Sequence, residues 1–420
     1  MTPRILFITP LPPPVHGSAM VSQYIKDSAL VNEQYDCDFV NLSTSRRMDE
    51  IGKGGAKKIL RFVGSFFLLL GKLLTRRYDL CYLAITCHGM GFLKDAPFVL
   101  LCKLFRRKVL IHQHNKGMSN CVDRWPYRWL LPLVYRNTKV MLLSWHLYDD
   151  IAQVVRREQV MVCANGVPPL NDERGTINVE RGTINDERGT INVERGTINV
   201  ERGTINDERG MGNEDVVCNS LNVNRSSLIV KILFLSNLIE SKGIFVLLDA
   251  CRVLKERGLD FTCDFVGGES KAVSAEAFRE AIAERGLADR VVYHGPKYGE
   301  DKVRFFTEAD IFVQPTFDDC FPLTLVEAMQ YRLPIVSTDV GAIPDMIVEE
   351  VNGLMCQQRD VDSLVVALET LIKDSALRTR MGEQGYARYR ELYTLEAFEK
   401  RFVGIIARCA VNSSGAVIND

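Results

Sequence analysis

From Arg4 onward the chain alternates short apolar runs with longer stretches in which apolar residues recur every three or four positions. Apolar runs of about four to eight residues bounded by turn residues predict buried strands, and the 3.6-residue period predicts helices packed on them. Strands are expected over residues 5–9, 37–41, 80–84, 108–112, 140–143 and 160–163. The rhythm restarts with 228–235, 261–266, 291–294, 311–314 and 334–337. Helical sequence follows each strand, which builds βαβ units and parallel sheets. The chain therefore reads as α/β, with two doubly wound parallel-sheet domains facing one another and ligands expected beyond the carboxyl ends of the strands. The expected division is a first Rossmann-like domain over 1–170, a linker over 171–212 and a second such domain over 213–395. Residues 396–420 are expected to form a helix returning to the first domain, followed by a flexible tail.

Two stretches break the alternation. Units of seven residues, such as NDERGTI and NVERGTI, begin at positions 171, 178, 185, 192, 199 and 206. Each has one solid apolar residue and contains Gly and Asn, so no coiled-coil seam can form, and an unstructured connection with a dispensable tandem duplication is expected. Residues 59–74 form the most apolar run, but Arg61 and Lys72 interrupt it and it is too short to span a bilayer. It is expected as a helix packed on the first sheet. Its flanks Lys53, Lys57, Lys58, Arg76 and Arg77 also suit an interfacial helix on anionic lipid.

The overall charge of −1 at 420 residues conceals an asymmetry. Residues 1–170 carry 23 Lys and Arg against 12 Asp and Glu (+11), residues 171–212 carry 6 against 9 (−3), and residues 213–420 carry 23 against 32 (−9). A basic first half suits an anionic acceptor or membrane surface. The twelve cysteines show no Cys-x-x-Cys pair and no zinc spacing, so buried free thiols in a reducing cytoplasm are expected. The opening strand runs straight into Pro10, and no signal peptide is read there. Neither first strand is followed by Gly-x-Gly-x-x-Gly, which argues against a dinucleotide oxidoreductase.

Candidate chemistry concentrates in Asp319-Cys320-Phe321-Pro322-Leu323-Thr324-Leu325-Val326-Glu327, where two carboxylates stand eight positions apart across a helix start. A proline at that start is tolerated, and the free backbone N–H groups from Phe321 to Thr324, with the positive dipole end, can face a phosphate. Lys242-Gly243, after the strand at 228–235, is placed to reach a phosphate as a point charge. Gly267-Gly268 permits a close backbone approach, and Gly17 permits the loop His16-Gly17-Ser18 to close over a ligand. His112 and His114 point the same way along a strand but lack a third ligand, so no zinc site is expected.

The acidic block, its continuation through Gly341-Ala342-Ile343-Pro344, and Ile232 to Gly243 resemble the retaining glycosyltransferases of family 4, the group 1 glycosyl transferases, whose fold is called GT-B. That resemblance implies a hexosyltransferase that takes a nucleotide diphosphate sugar such as a UDP-sugar and needs neither cofactor nor metal. Its acceptor would be a glycan or lipid-linked hydroxyl in surface polysaccharide or glycolipid biosynthesis, in the cytoplasm or at the inner face of the membrane, with no nucleic acid partner. It implies catalytic roles for Asp319, near the reacting carbon, and His114. Donor contacts are implied for Gly17, Asn237, Lys242, Phe321, Leu323, Thr324 and Glu327, the last at the ribose hydroxyls. Asp319 stands where the family has Glu, and Asn237 where it has Arg, which removes one cationic contact. A nucleotide-sugar epimerase on the same fold and an inactive nucleotide-sugar-binding subunit are the alternative readings.

Overall fold

The computed structural model describes residues 2–13, 17–43, 55–169 and 229–410, together with the backbone of three short strands inside the repeat. The first half runs β1 (Arg4–Thr9), α1 (Gly17–Asp27), α2 (Ala29–Gln34), β2 (Asp36–Asn41), α3 (Ala56–Thr75), β3 (Leu80–Ile85) and α4 (Gly89–Leu104). It continues with β4 (Val109–Gln113), α5 (Tyr127–Tyr135), β5 (Lys139–Leu142) and β6 (Val160–Val162). All six strands pair in parallel, in the order β2-β1-β3-β4-β5-β6. Buried Ile, Leu, Phe and Tyr fill both sides of β1 and β3, as a sheet covered on both faces requires.

Inside the repeat, where an unstructured linker is expected, the described backbone forms β7 (Thr183–Asp186), β8 (Gly189–Glu194) and β9 (Thr197–Asn199), paired antiparallel. The other residues of the repeat, like His16, lie outside the described residues.

The second half runs β10 (Val230–Leu235), α6 (Ile244–Glu256), β11 (Phe261–Val266), α7 (Ala275–Glu284), β12 (Val291–Tyr293), α8 (Gly299–Glu308) and β13 (Ile311–Gln314). Then come α9 (Leu323–Gln330), β14 (Ile335–Ser337), α10 (Ile343–Met346), β15 (Gly353–Met355), α11 (Val361–Lys373), α12 (Ser375–Arg388) and α13 (Leu395–Ala410). The sheet order is β12-β11-β10-β13-β14-β15, again parallel. Strand order reverses between β10 and β13, the switch point at which a doubly wound sheet opens a crevice. Both sheets are Rossmann-like, and together they make the GT-B arrangement.

The halves are joined at several points. Phe398, Phe402 and Ile406 of α13 share one buried cluster with Ile5, Phe7, Val21 and Tyr82 of the first half. Gly166 lies against the Thr394 carbonyl, where an added Cβ would sit 2.3 Å from the oxygen. Val167 exchanges backbone hydrogen bonds with Tyr393 and Leu395 at 3.0 and 2.9 Å. Gln330, buried, donates to Pro168 O at 2.7 Å and to Tyr389 Oη at 2.8 Å. Asn165-Gly166-Val167 is thus a junction with the C-terminal end of the chain.

α3 packs on the first sheet as expected, through Leu69 and Leu73, but leaves much of its apolar surface uncovered. Phe62 and Phe66 meet Phe98 of α4 edge-on at 5.4 and 5.7 Å, yet only Leu69 and Leu73 of the helix are buried. Ile59, Leu60, Val63, Phe67, Leu68 and Leu74 stay exposed. β2 is the sheet's edge and α3 packs against both it and α4, so the core accepts only the inner side of the helix.

Candidate functional site

The acidic block lies at the carboxyl ends of β10 and β13, on the switch point of the second sheet. α9 begins at Leu323 with Pro322 as its N-cap, so the missing proline N–H falls where no intrahelical bond is lost. Asp319 precedes the helix and Glu327 lies in its second turn.

Each carboxylate has a lysine. Lys242 Nζ donates to Asp319 Oδ2 at 2.7 Å and to the Asp318 carbonyl at 3.0 Å. Lys302 of α8 donates to both oxygens of Glu327 at 2.7 Å. The first pair is largely enclosed, with side chains 19% and 15% exposed. Asp319 is held further by Gln314 Nε2 at 3.1 Å and by the N–H of Cys320 at 2.8 Å. Gln314 in turn accepts from Thr324 Oγ1 at 2.7 Å, so this hydroxyl faces the sheet and not the open mouth. Burial, with Asp319 alongside, pushes the Cys320 thiol up to about 12, which keeps it a neutral packing group.

Lys242 arrives through a 3₁₀ turn that ends at Gly243, whose φ of +80° is left-handed. A Cβ there would stand 2.1 Å from the Pro315 carbonyl, so the loops after β10 and β13 touch only because this residue is glycine. Gly341 does the same on the far side of the block: its added Cβ would stand 2.4 Å from the Asp319 carbonyl. Asn237 Oδ1 accepts the N–H of Gly268 at 2.9 Å and so props the turn after β11.

The remaining residues named from sequence fall as follows. Gly17 opens α1, and a Cβ on it would come 3.8 Å from Leu323 Cδ1, which sets the first half's loop over the start of α9. Phe321 is buried, its ring 6.1 Å from Tyr393 and roughly perpendicular to it, so its side chain serves packing while its backbone belongs to the helix start. His114 follows β4 with its ring 4.0 Å from that of His112. His112 is fully buried beside Tyr82 Oη at 2.6 Å, and burial first, then His114, holds its imidazole well below the ordinary value. Among the described residues no group of three or more His, Cys, Asp or Glu could hold a metal ion.

The first half also sends groups that motif reading passed over. Lys116 pairs with Asp318 across the cleft at 3.2 Å, and His146 meets Asp345 at 3.2 Å. Burial raises the pKa of Tyr24 of α1, and the charge of Glu327 adds to the shift, so this phenol lies within electrostatic reach of the ribose candidate. A cavity of 490 Å³ lies between Asp318 and the first half, lined by His88, Lys116, Ser119, Arg124, Tyr127 and Asp150. Lys302, Gln314, Tyr24 and Lys116 carry no signal in the linear sequence, because each meets the block only through folding.

Comparisons with known proteins place this geometry. The family model described as Glycosyl transferases group 1 matches residues 229–388. The amylovoran biosynthesis glycosyltransferase AmsK of Erwinia amylovora is 34% identical over 154 residues, which covers 35% of this chain and 37% of that protein. The D-inositol 3-phosphate glycosyltransferase of Corynebacterium diphtheriae is 31% identical over 152 residues, or 36% of each. The chain thus spans a little over a third of the length of these curated relatives. Among solved structures, sucrose-phosphate synthase from Thermosynechococcus elongatus superposes with a TM-score of 0.67 at 16% identity, covering 97% of this chain and 98% of that one. The Anabaena protein HepE, in complex with UDP and glucose, gives 0.64 at 16% identity over 96% and 99%. At such identities the structural likeness speaks for the fold, and the family model speaks for residues 229–388. Residues 229–388 are a glycosyl transferases group 1 domain, carried in a chain of GT-B architecture.

Proposed function

We propose that the chain is a retaining hexosyltransferase of family 4 that moves a sugar from a nucleotide diphosphate donor, of the UDP-sugar kind, to an acceptor hydroxyl. The observation that carries this reading is the pair of lysine-held carboxylates, Lys242 with Asp319 and Lys302 with Glu327, at the switch-point crevice of the group 1 domain. One similar protein supports the donor class: the structures of HepE are described in complex with UDP and glucose and with UDP-glucose.

In this reading the donor's diphosphate lies at the start of α9. There Lys242 and the free N–H groups of the first turn neutralise the charge that grows as the bond to the sugar breaks, a task that requires neither cofactor nor metal. Glu327 accepts the ribose hydroxyls, held ready by its two bonds from Lys302. Asp319 and His114 face the sugar from the two sides of the cleft, and Asn237 and Gly17 shape its walls. Thr324 would have to leave Gln314 to reach a phosphate, so its contribution comes through its backbone. Leu323 and Phe321 likewise act through main-chain groups. The acceptor, a glycan or lipid-linked chain of surface polysaccharide or glycolipid, enters on the basic first half. The reaction would take place in the cytoplasm, at the inner face of the membrane where the acceptor is anchored.

The test is a panel of nucleotide sugars, scored by release of the nucleotide diphosphate and by thermal stabilisation. Turnover of one donor that disappears in Glu327→Ala and Asp319→Asn, with melting preserved, supports the reading. Equal turnover in both variants overturns it.

A further inference from the structure

We infer that the outer side of the helical layer α3, α4 and α5 is a docking face for an anionic phospholipid surface. These three helices cover the same side of the first sheet, since their buried residues, among them Leu69, Phe98 and Val134, belong to one cluster. α1 and α13 lie with the cluster on the opposite side. The outward side of the layer therefore faces away from the core.

A surface helix of a soluble domain normally turns polar residues outward. α3 does the reverse. Leu60, Phe67 and Leu74 stand seven positions apart, on one stripe with Val63, and are 74%, 62% and 68% exposed. No acidic residue occurs between positions 56 and 78. α5 adds a second apolar edge: Trp129 and Leu133 are exposed, and Trp125, just ahead of the helix, is 81% exposed. The Arg128 guanidinium rests 5.2 Å from the Trp129 ring. Exposed tryptophans beside arginines suit the headgroup level of a bilayer, where an apolar ring and a cation are both satisfied.

Charge selects lipid over a protein partner. Lys57 lies in the first turn of α3 and Arg77 just past its end, while Arg124 precedes α5 and Arg128 lies in its first turn, all in the half of the chain that carries +11. The acids of the layer are largely engaged elsewhere: Asp95 is buried and accepts the N–H of Thr86, and Asp79 accepts the N–H of Arg4. Asp79 and Asp123 are exposed. Among the described residues no helix is long and apolar enough to cross a membrane, so α3 would lie in the interface with its apolar stripe among the acyl chains. This extends the proposed function to the way a lipid-linked acceptor is reached. Binding to vesicles requires neither donor nor acceptor, so the two can fail separately.

The experiment is flotation of the full chain with vesicles of phosphatidylglycerol and phosphatidylethanolamine, compared with phosphatidylcholine alone. The protein should float with the anionic vesicles, release in high salt, and shift its tryptophan emission to the blue. The double variant Leu60→Glu, Phe67→Glu should bind at least about tenfold more weakly, while its melting and its response to nucleotides stay unchanged. Lys57→Glu with Arg77→Glu should lose the preference for anionic lipid. Failure of the wild type to float with any vesicle, or a Leu60→Glu, Phe67→Glu variant that floats equally well, overturns the inference. So does a wild-type dimer that this variant dissolves without any vesicle binding, because a second copy would then cover the face.

Discussion

Replacing Gly341 with alanine tests whether the acidic block is held in place by backbone contact. Gly341 has φ of +61°, and the Cβ of an alanine would lie 2.4 Å from the Asp319 carbonyl and 2.8 Å from that of Cys320. The left-handed backbone alone costs about 1 kcal/mol for alanine. To restore an ordinary contact of 3.4 Å the Asp319 carbonyl must retreat by about 1 Å, but the Ala342 N–H holds the Cys320 carbonyl at 2.9 Å on the same side. Overpacking of this kind costs about 1–3 kcal/mol more, so about 2–4 kcal/mol is expected in total. Gly286→Ala is the matched control, with φ of +64° and nothing within 4 Å of the added Cβ, so it should cost only the backbone strain. Thermal melting of both variants reads the difference, at about 2–4 °C for each kcal/mol. Displacement of Asp319 by 1 Å should also lower kcat/KM for whichever donor is turned over, by about a hundredfold, with little effect from Gly286→Ala. Equal melting and equal activity in the two variants would show that the contact does not position the block.

Lys302→Met should weaken nucleotide binding about tenfold in calorimetry, since Glu327 loses both of its bonds. Adding it to Glu327→Gln should change little further, and additive losses would show that the two residues act independently. His112 stays neutral in the folded chain because burial depresses its pKa, whereas the unfolded chain binds a proton below the ordinary imidazole value of about 6.5. Stability should therefore fall as pH drops below that value, this one group contributing about 1.4 kcal/mol per pH unit. Urea midpoints from about pH 7 to about pH 5 should show a flatter slope in His112→Gln, and an unchanged slope refutes the assignment. Phe402→Ala should cost about 3–5 kcal/mol in urea unfolding, because the ring is fully buried, stacked 6.4 Å from Phe7 and edge-on to Tyr82 at 5.4 Å. A loss under about 1 kcal/mol would mean that α13 adds little to the first half.

The strand pattern was legible because buried parallel strands are short apolar runs, and such runs survive in linear order: residues 261–266 and 311–314 match β11 and β13 end to end. β15, Gly353–Met355, was missed, since three residues opening on glycine give no periodicity to read. α3 was read as a helix packed on the first sheet, with an interfacial helix beside that reading, but which of its positions stay exposed was not legible, because hydrophobicity along the chain does not say which side of a helix finds a neighbour.

At the site, local chemistry marked Asp319, Glu327, Lys242 and the glycines, since a helix start, a turn and a point charge are each written within a few adjacent residues. Their partners were not marked. Lys302 lies 25 positions from Glu327, Lys242 lies 77 from Asp319, and Lys116 comes from the other half of the chain. The sequence alone determined the two α/β units, their parallel strands and the place of the acidic block. Tertiary structure decided which cation neutralises which carboxylate, which helix face stays bare, and how Gly166 and α13 tie the halves together. Ion pairing and burial depend on distances across the fold, and sequence separation does not encode those distances.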